Sequence, residues 1–314
     1  MQKYFKKVGL FFVILISGTK VFGQAGFVAG VDLTIELVQG SVYMIQRPGG
    51  GGNIGAHIGE DGVLLVDALF APMTDELIST IREVTDGEIK FLINTHIHGD
   101  HVGGNSNLAE LGTTIFSHEN TRRKFLEDKS HYPRAGGSFA PQQPENARPV
   151  VTYKEEIAFH FNGEEVRAFL APPAHTDGDT FVYFPESDVL HLGDVFRTTS
   201  YPIIDKFNGG TLRGTIAALD QAIDIAGPNT KVIPGHGLEI VDRDKIEEFR
   251  NMIIDIQNKI YSMIREGMHL DEIMAARPTR EYDAQWENDP GWTVVDFVPV
   301  VYYELGGGGR LEDR

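Results

Sequence analysis

The chain has 314 residues, 28 basic against 45 acidic side chains, a net charge of −17 with histidine neutral, and no cysteine. The lack of cysteine excludes a disulfide scaffold and any thiolate metal ligand. The acidity excludes a nucleic-acid partner, whose phosphates require a basic surface.

Residues 1–23 read as a cleaved bacterial signal peptide. Lys3, Lys6 and Lys7 form a positive start, Gly9 to Gly18 an apolar run, and Val21-Phe22-Gly23 the cleavage region. The run is shorter than the roughly 20 residues of a membrane span, so no stable membrane anchor is expected. No cysteine follows it to carry a lipid. The expected location is the periplasm or the outside of the cell. Cleavage removes four lysines and no acid, taking the net charge from −17 to −21. The mature domain then spans 24–305, and the glycine-rich end at 306–314 reads as a disordered tail.

Val31–Gln46 and Ile54–Leu69 carry alternating and then continuous apolar patterns, joined by the run Gly49–Gly52, and read as a hairpin. Thr74–Val84 has helical periodicity with Thr74 as N-cap and Asp75 and Glu76 in the first turn. Ile89–Asn94 reads as a strand, Asn105–Leu111 as a short helix, Thr113–Ser117 as a strand and Glu119–Lys129 as a helix. Arg134–Pro149, rich in Gly, Pro and Gln, reads as a long loop. Strands follow at Val150–Phe161, Glu164–Ala171, Thr180–Pro185 and Val189–Leu192. Leu212–Ala226 is a helix, Lys231–Ile233 a strand, and Arg243–Arg265 a long amphipathic helix.

The chemistry is concentrated in His96-Ile97-His98-Gly99-Asp100-His101, directly after the apolar run Phe91-Leu92-Ile93. On a strand end, alternating His96 and His98 point the same way, and a bend lets Asp100 and His101 reach the same hole. Neutral imidazole suits zinc, and a neighbouring carboxylate can bind a second cation or orient a water.

Thr95 to Asn105 (THIHGDHVGGN) resembles the H-x-H-x-D-H signature of the metallo-β-lactamase superfamily, and the resemblance runs from about Val31 to Asp242. It implies an α/β (α+β) fold, a four-layer αββα sandwich, and further ligands at His175, Asp194 and His236. By that resemblance His96, His98 and His175 hold one zinc ion. Asp100, His101 and His236 hold a second, and Asp194 bridges the two. Two ions roughly 3.5–4 Å apart would activate a bridging hydroxide, which Asp100 helps to orient. Di-iron members carry a carboxylate where this chain has His98, so iron is disfavoured and manganese is an alternative only at the second site. His118, His131, His160 and His191 are read as surface or core residues.

The resemblance implies a small-molecule substrate opened by hydrolysis, with a β-lactam as the leading expectation. Arg197, three residues after Asp194, stands where a lysine often receives the substrate carboxylate, and Asn208 stands where a polar residue faces the lactam carbonyl. Gly49–Gly52 takes the place of a hairpin loop over the bound substrate. Asp194 points elsewhere, because the common zinc β-lactamases of this shape have cysteine there and a bridging aspartate is typical of thioesterases and lactonases. A lactonase, esterase or glyoxalase-II-like thioesterase is therefore the alternative. A non-catalytic exported zinc-binding protein is the alternative of another class.

Overall fold

The computed structural model describes residues 32–127, 144–289 and 291–308. The signal-peptide segment, His131 and residues 309–314 of the expected tail lie outside them.

The first sheet is a seven-stranded run in sequence order: β1 (Thr34–Gln39), β2 (Val42–Gln46), β3 (Ile54–Gly59), β4 (Gly62–Val66), β5 (Ile89–Asn94), β6 (Thr114–His118) and β7 (Val151–Tyr153). Its first four strands are antiparallel, and β4 to β7 run parallel to one another. Helices α1 (Thr74–Arg82), α2 (Gly99–Val102), α3 (Asn105–Glu110) and α4 (Glu119–Lys124) lie within the parallel crossovers. The second sheet has the order β12–β11–β10–β9–β8, from β8 (Glu156–Phe161), β9 (Glu164–Leu170), β10 (Thr180–Phe184), β11 (Val189–His191) and β12 (Lys231–Ile233). Helices α5 (Leu212–Ile225), α6 (Arg243–Arg265), α7 (Leu270–Ala276), α8 (Asp283–Trp286) and α9 (Val294–Glu304) complete the chain.

The side-chain alternation of β4 explains the layering. All five of its residues are buried, as expected of a strand covered on both faces. Leu64 and Val66 join Met44, Ile93, Val182 and Phe184 between the two sheets. Val63 and Leu65 face the other way and pack with Leu77, Ile81 and Leu108 of α1 and α3. On the far side, Phe181, Leu190 and Val232 of the second sheet meet Leu219, Phe249, Ile253 and Phe297 of α5, α6 and α9. The layers are therefore helix, sheet, sheet, helix, as the resemblance implied.

Three local expectations are corrected. Each half of the expected first hairpin is itself two strands, because Gly40 and Gly62 take positive φ and reverse the chain. Val150–Phe161 divides at Lys154-Glu155 into β7 and β8, which belong to different sheets. Thr74 is the first residue of α1 and not its cap; Met73 holds the cap position after a short 3₁₀ turn, and the Thr74 hydroxyl donates back to Ala71 O. Helices α7 to α9 were not read from the sequence at all. Among the described residues no helix is long and apolar enough to cross a membrane.

Candidate metal centre

The parallel pairs β4/β5 and β11/β12 end at one edge of the sandwich, and each delivers part of the site there. Asp67 follows β4, the motif 96–101 follows β5, Asp194 follows β11 and His236 follows β12. His175 sits on the loop entering β10, which is tied to the motif by Thr180 N donating to Thr95 O at 2.9 Å. Asn53 binds the remaining edge, its backbone N–H donating to Gly235 O and its amide to Pro234 O and Gly237 O.

Two sets of side chains converge. His96, His98, His175 and Asp194 are all buried and offer ligand atoms within 4.8 Å of one another. Asp100, His101 and His236 form a second such group. Asp194 touches both: Oδ2 lies 3.7 Å from His175 Nε2 and 3.2 Å from His236 Nε2, and Oδ1 lies 3.1 Å from His101 Nε2. Asp100 Oδ2 is 3.2 Å from His236 Nε2. Two glycines make this approach possible. A Cβ on Gly235 would sit 2.2 Å from Asp194 Oδ1, and one on Gly52 would sit 2.4 Å from the His101 ring.

The hydrogen bonds fix which imidazole nitrogens face inward. Thr95 has one hydroxyl proton, and at 2.6 Å from Asp67 Oδ2 that proton goes to the carboxylate, which only accepts. His96 Nδ1, 2.9 Å from the same hydroxyl, is therefore the donor, leaving a bare lone pair on Nε2. Nε2 is buried with no hydrogen-bond partner. His98 Nε2 donates to Asp205 Oδ2 at 2.7 Å, and His175 Nδ1 donates to Ile203 O at 2.6 Å. That leaves His98 Nδ1 and His175 Nε2 facing each other at 2.9 Å with a lone pair each and no proton between them. Two buried acceptors in that arrangement are suited to hold a shared cation. His101 Nδ1 donates to Asp67 Oδ2 at 2.7 Å, which turns its Nε2 to the same hollow. The donor set, imidazole nitrogen with carboxylate, fits zinc.

Electrostatics divide the site. Burial, reinforced by His101 and the His175 ring, holds His96 well below the usual imidazole range. Burial with the nearby His98 pushes His175 down to about 4. Both are neutral ligands at neutral pH. Burial also opposes charge on His101 and His236, but the carboxylates of Asp194 and Asp100 outweigh it and raise both, with Arg197 opposing at His236. Those histidines in turn hold Asp100 and Asp194 well below the ordinary carboxylate range against the cost of burial.

Asp67 and Asp205 also belong to the candidate site, and neither is singled out by the sequence. Both are fully buried. Asp67 adopts φ 70°, a left-handed conformation that costs a non-glycine residue on the order of 1–3 kcal/mol. It accepts from Thr95 N, Thr95 Oγ1 and His101 Nδ1, and so orients ligands of both groups. Asp205 orients His98, and that contact, with the amide of Asn208, keeps its carboxyl well below its usual range despite burial. The Asn208 side-chain amide is accordingly turned to Asp205. Arg197 is only 2% exposed and is bridged through its backbone to His236. His118 caps α4 and donates to Lys154 O, His160 is exposed, and His191 accepts from Gly193 N inside the core.

Residues 37–248 match the model of the metallo-β-lactamase superfamily. The chain belongs to that superfamily. It is 25% identical over 183 residues to metallo-β-lactamase type 2 of Bacillus cereus, covering 58% of this chain and 65% of that protein. It is 23% identical over 258 residues to the linear primary-alkylsulfatase of a Pseudomonas species, covering 68% of this chain and 47% of that one. The chain thus spans less than two thirds of either relative. Among solved structures, an inverting sec-alkylsulfatase from Pseudomonas superposes with TM-score 0.63 at 17% identity, covering 88% of this chain and 50% of that one. A metallo-β-lactamase from Pontibacter korlensis gives TM-score 0.58 at 18% identity, covering 71% of this chain and all of that one. These structures share the fold of this superfamily member.

Proposed function

We propose that this chain is an exported dinuclear zinc hydrolase of small anionic molecules, with a β-lactam as the first substrate to test. The observation that carries the reading is the convergence of imidazole lone pairs that nothing in the protein fills, above all His98 Nδ1 against His175 Nε2 at 2.9 Å. His96, His98 and His175 would hold one ion, Asp100, His101 and His236 the other, and Asp194 both. Bound zinc would lower the pKa of water toward neutrality and polarise the scissile carbonyl.

The protein's own groups supply the rest. Asp100, 18% exposed and kept ionised by its histidines, is the carboxylate available to accept a proton from an attacking water. Asp67 and Asp205 hold His101 and His98 in one tautomer and one orientation. Arg197 supplies positive charge beside His236, suited to an anionic group next to the scissile bond.

A sulfate ester is the second reading. The alkylsulfatase fold extends over 88% of this chain against 71% for the lactamase, so more of the sequence finds a counterpart there. Aspartate at 194 keeps a lactone or thioester in the panel. The test is turnover by zinc-loaded protein of a penicillin, a carbapenem, an acyl-homoserine lactone, a thioester and a linear alkyl sulfate, with and without chelator. Hydrolysis of a member of this panel, lost with chelator and restored by zinc, is expected. Protein that binds zinc and hydrolyses none of them would be a zinc-binding protein on a hydrolase scaffold.

A further inference from the structure

Arg197 carries a buried guanidinium whose donors are largely unpaired. Nε and Nη1 are buried with no hydrogen-bond partner. Nη2 faces Asp289 Oδ2 at 3.7 Å, within ion-pair range but too long for a hydrogen bond. A buried guanidinium left this way is costly unless something closes on it.

Asp289 is not there by accident of a loose end. Its other oxygen, Oδ1, accepts from Gly291 N at 2.8 Å, which fixes the side chain locally. Its segment is laid along the stretch that follows Arg197. Tyr201 N donates to Trp286 O at 2.9 Å, Asn288 N to Thr199 O at 3.2 Å, and Trp292 Nε1 to Pro202 O at 3.1 Å. Trp286 and Trp292 are themselves buried in the core beneath α6 and α9. The segment that carries Trp286, Asp289 and Trp292 lies beyond residue 248, where the superfamily match ends.

We infer that Asp289 is a specificity-determining residue, an internal counter-ion that shields Arg197 at rest and that the anionic group of a substrate must displace. A carboxylate or sulfate oxygen in direct hydrogen-bond contact out-competes a carboxylate held at 3.7 Å, whereas a neutral group does not. The arrangement therefore admits anions and leaves the charge covered against neutral molecules. The inference rests on Arg197 being the anion receiver of the proposed hydrolase.

The experiment measures binding of inorganic sulfate and of acetate to zinc-loaded wild type, Asp289→Asn and Arg197→Ala, by calorimetry, with melting temperature read alongside. Asparagine keeps the Oδ1 acceptor for Gly291 N and removes the competing charge. Asp289→Ser, whose hydroxyl can also accept, is a second neutral variant that must behave alike. Affinity for at least one anion should rise about tenfold in Asp289→Asn, the size expected for a competing charge at 3.7 Å that is one third exposed. Arg197→Ala should abolish that binding. The melting temperature of Asp289→Asn should fall in anion-free buffer and recover when the anion is added. A gain with sulfate alone assigns a tetrahedral oxyanion, and a gain with acetate alone a carboxylate. Unchanged affinity in both neutral variants, with Arg197→Ala still abolishing binding, would overturn the role of Asp289 and leave Arg197 as receiver. Binding that survives Arg197→Ala, or no anion binding by any form, would overturn both.

Discussion

The two halves of the metal centre are built on opposite electrostatic plans. The His96/His98/His175 half is histidine-only apart from Asp194, and burial keeps His96 and His175 neutral well into acid. The Asp100/His101/His236 half is rich in carboxylate, and its histidines bind protons more readily than free imidazole. A proton and a zinc ion compete for the same lone pair. On the proposed reading the first half would take a metal at almost any physiological pH, and at the second proton and metal would compete.

The largest effect should come from the residue that joins the halves. Asp194→Asn keeps the shape but removes a charge shared by both groups, so zinc content and turnover should fall together. Loss of several kcal/mol of transition-state stabilisation corresponds to at least about a thousandfold in turnover. Near-normal zinc and activity in that variant would remove the bridging role. Orienting residues come next. Asp205→Asn should weaken zinc by about ten- to hundredfold at the first half alone, because its contact is with His98. Asp67→Asn should affect both halves, since Asp67 holds His101 directly and His96 through Thr95. Equal effects of the two variants on both ions would contradict the division.

Acid sharpens the comparison. As pH falls below the raised values of His101 and His236, each protonation should cost the second zinc about tenfold in affinity per pH unit. The first zinc should survive until the pH nears the value of about 4 for His175. Metal titrations at several pH values would read this directly, and simultaneous loss of both ions would contradict it. Metal-free protein should show the reverse trend in stability. Groups whose folded pKa is raised stabilise fully below their unfolded value of 6.5 and lose that contribution as pH rises through the folded value. Its melting temperature should therefore drop as pH rises from about 6.5, while the zinc-loaded protein should not follow. The smallest effect is expected at Arg197. Arg197→Ala should raise KM for anionic substrates by about ten- to hundredfold and leave neutral ones almost unchanged. Equal losses on both would make it structural.

The motif 96–101 was legible because the apolar run Phe91-Leu92-Ile93 of β5 leads into it and leaves no core role for so many polar groups. The strand pattern was legible for the same reason, except where one apolar run hid two strands. Within Val150–Phe161 the charged run Lys154-Glu155-Glu156 breaks the apolar pattern, but a break in pattern does not say that the strands on either side join different sheets. His175, Asp194 and His236 came from resemblance, since each alone is an ordinary polar residue. Asp67 and Asp205 escaped because their partners are distant in sequence: Asp67 meets His101 across 34 residues and Asp205 meets His98 across 107. The available signal was an acid directly after an apolar stretch, Val66 before Asp67 and Ile203-Ile204 before Asp205. Asn208 donates to Asp205 Oδ2, a local pairing three residues away that the resemblance did not imply.

The central claim is a centre of two unlike metal sites, and elemental analysis of zinc per chain tests it most directly. Purified wild type at neutral pH should hold two equivalents, and His236→Ala should hold one, with His96, His98 and His175 retaining theirs. Wild type without zinc, or with a single equivalent that His236→Ala leaves in place, would contradict it.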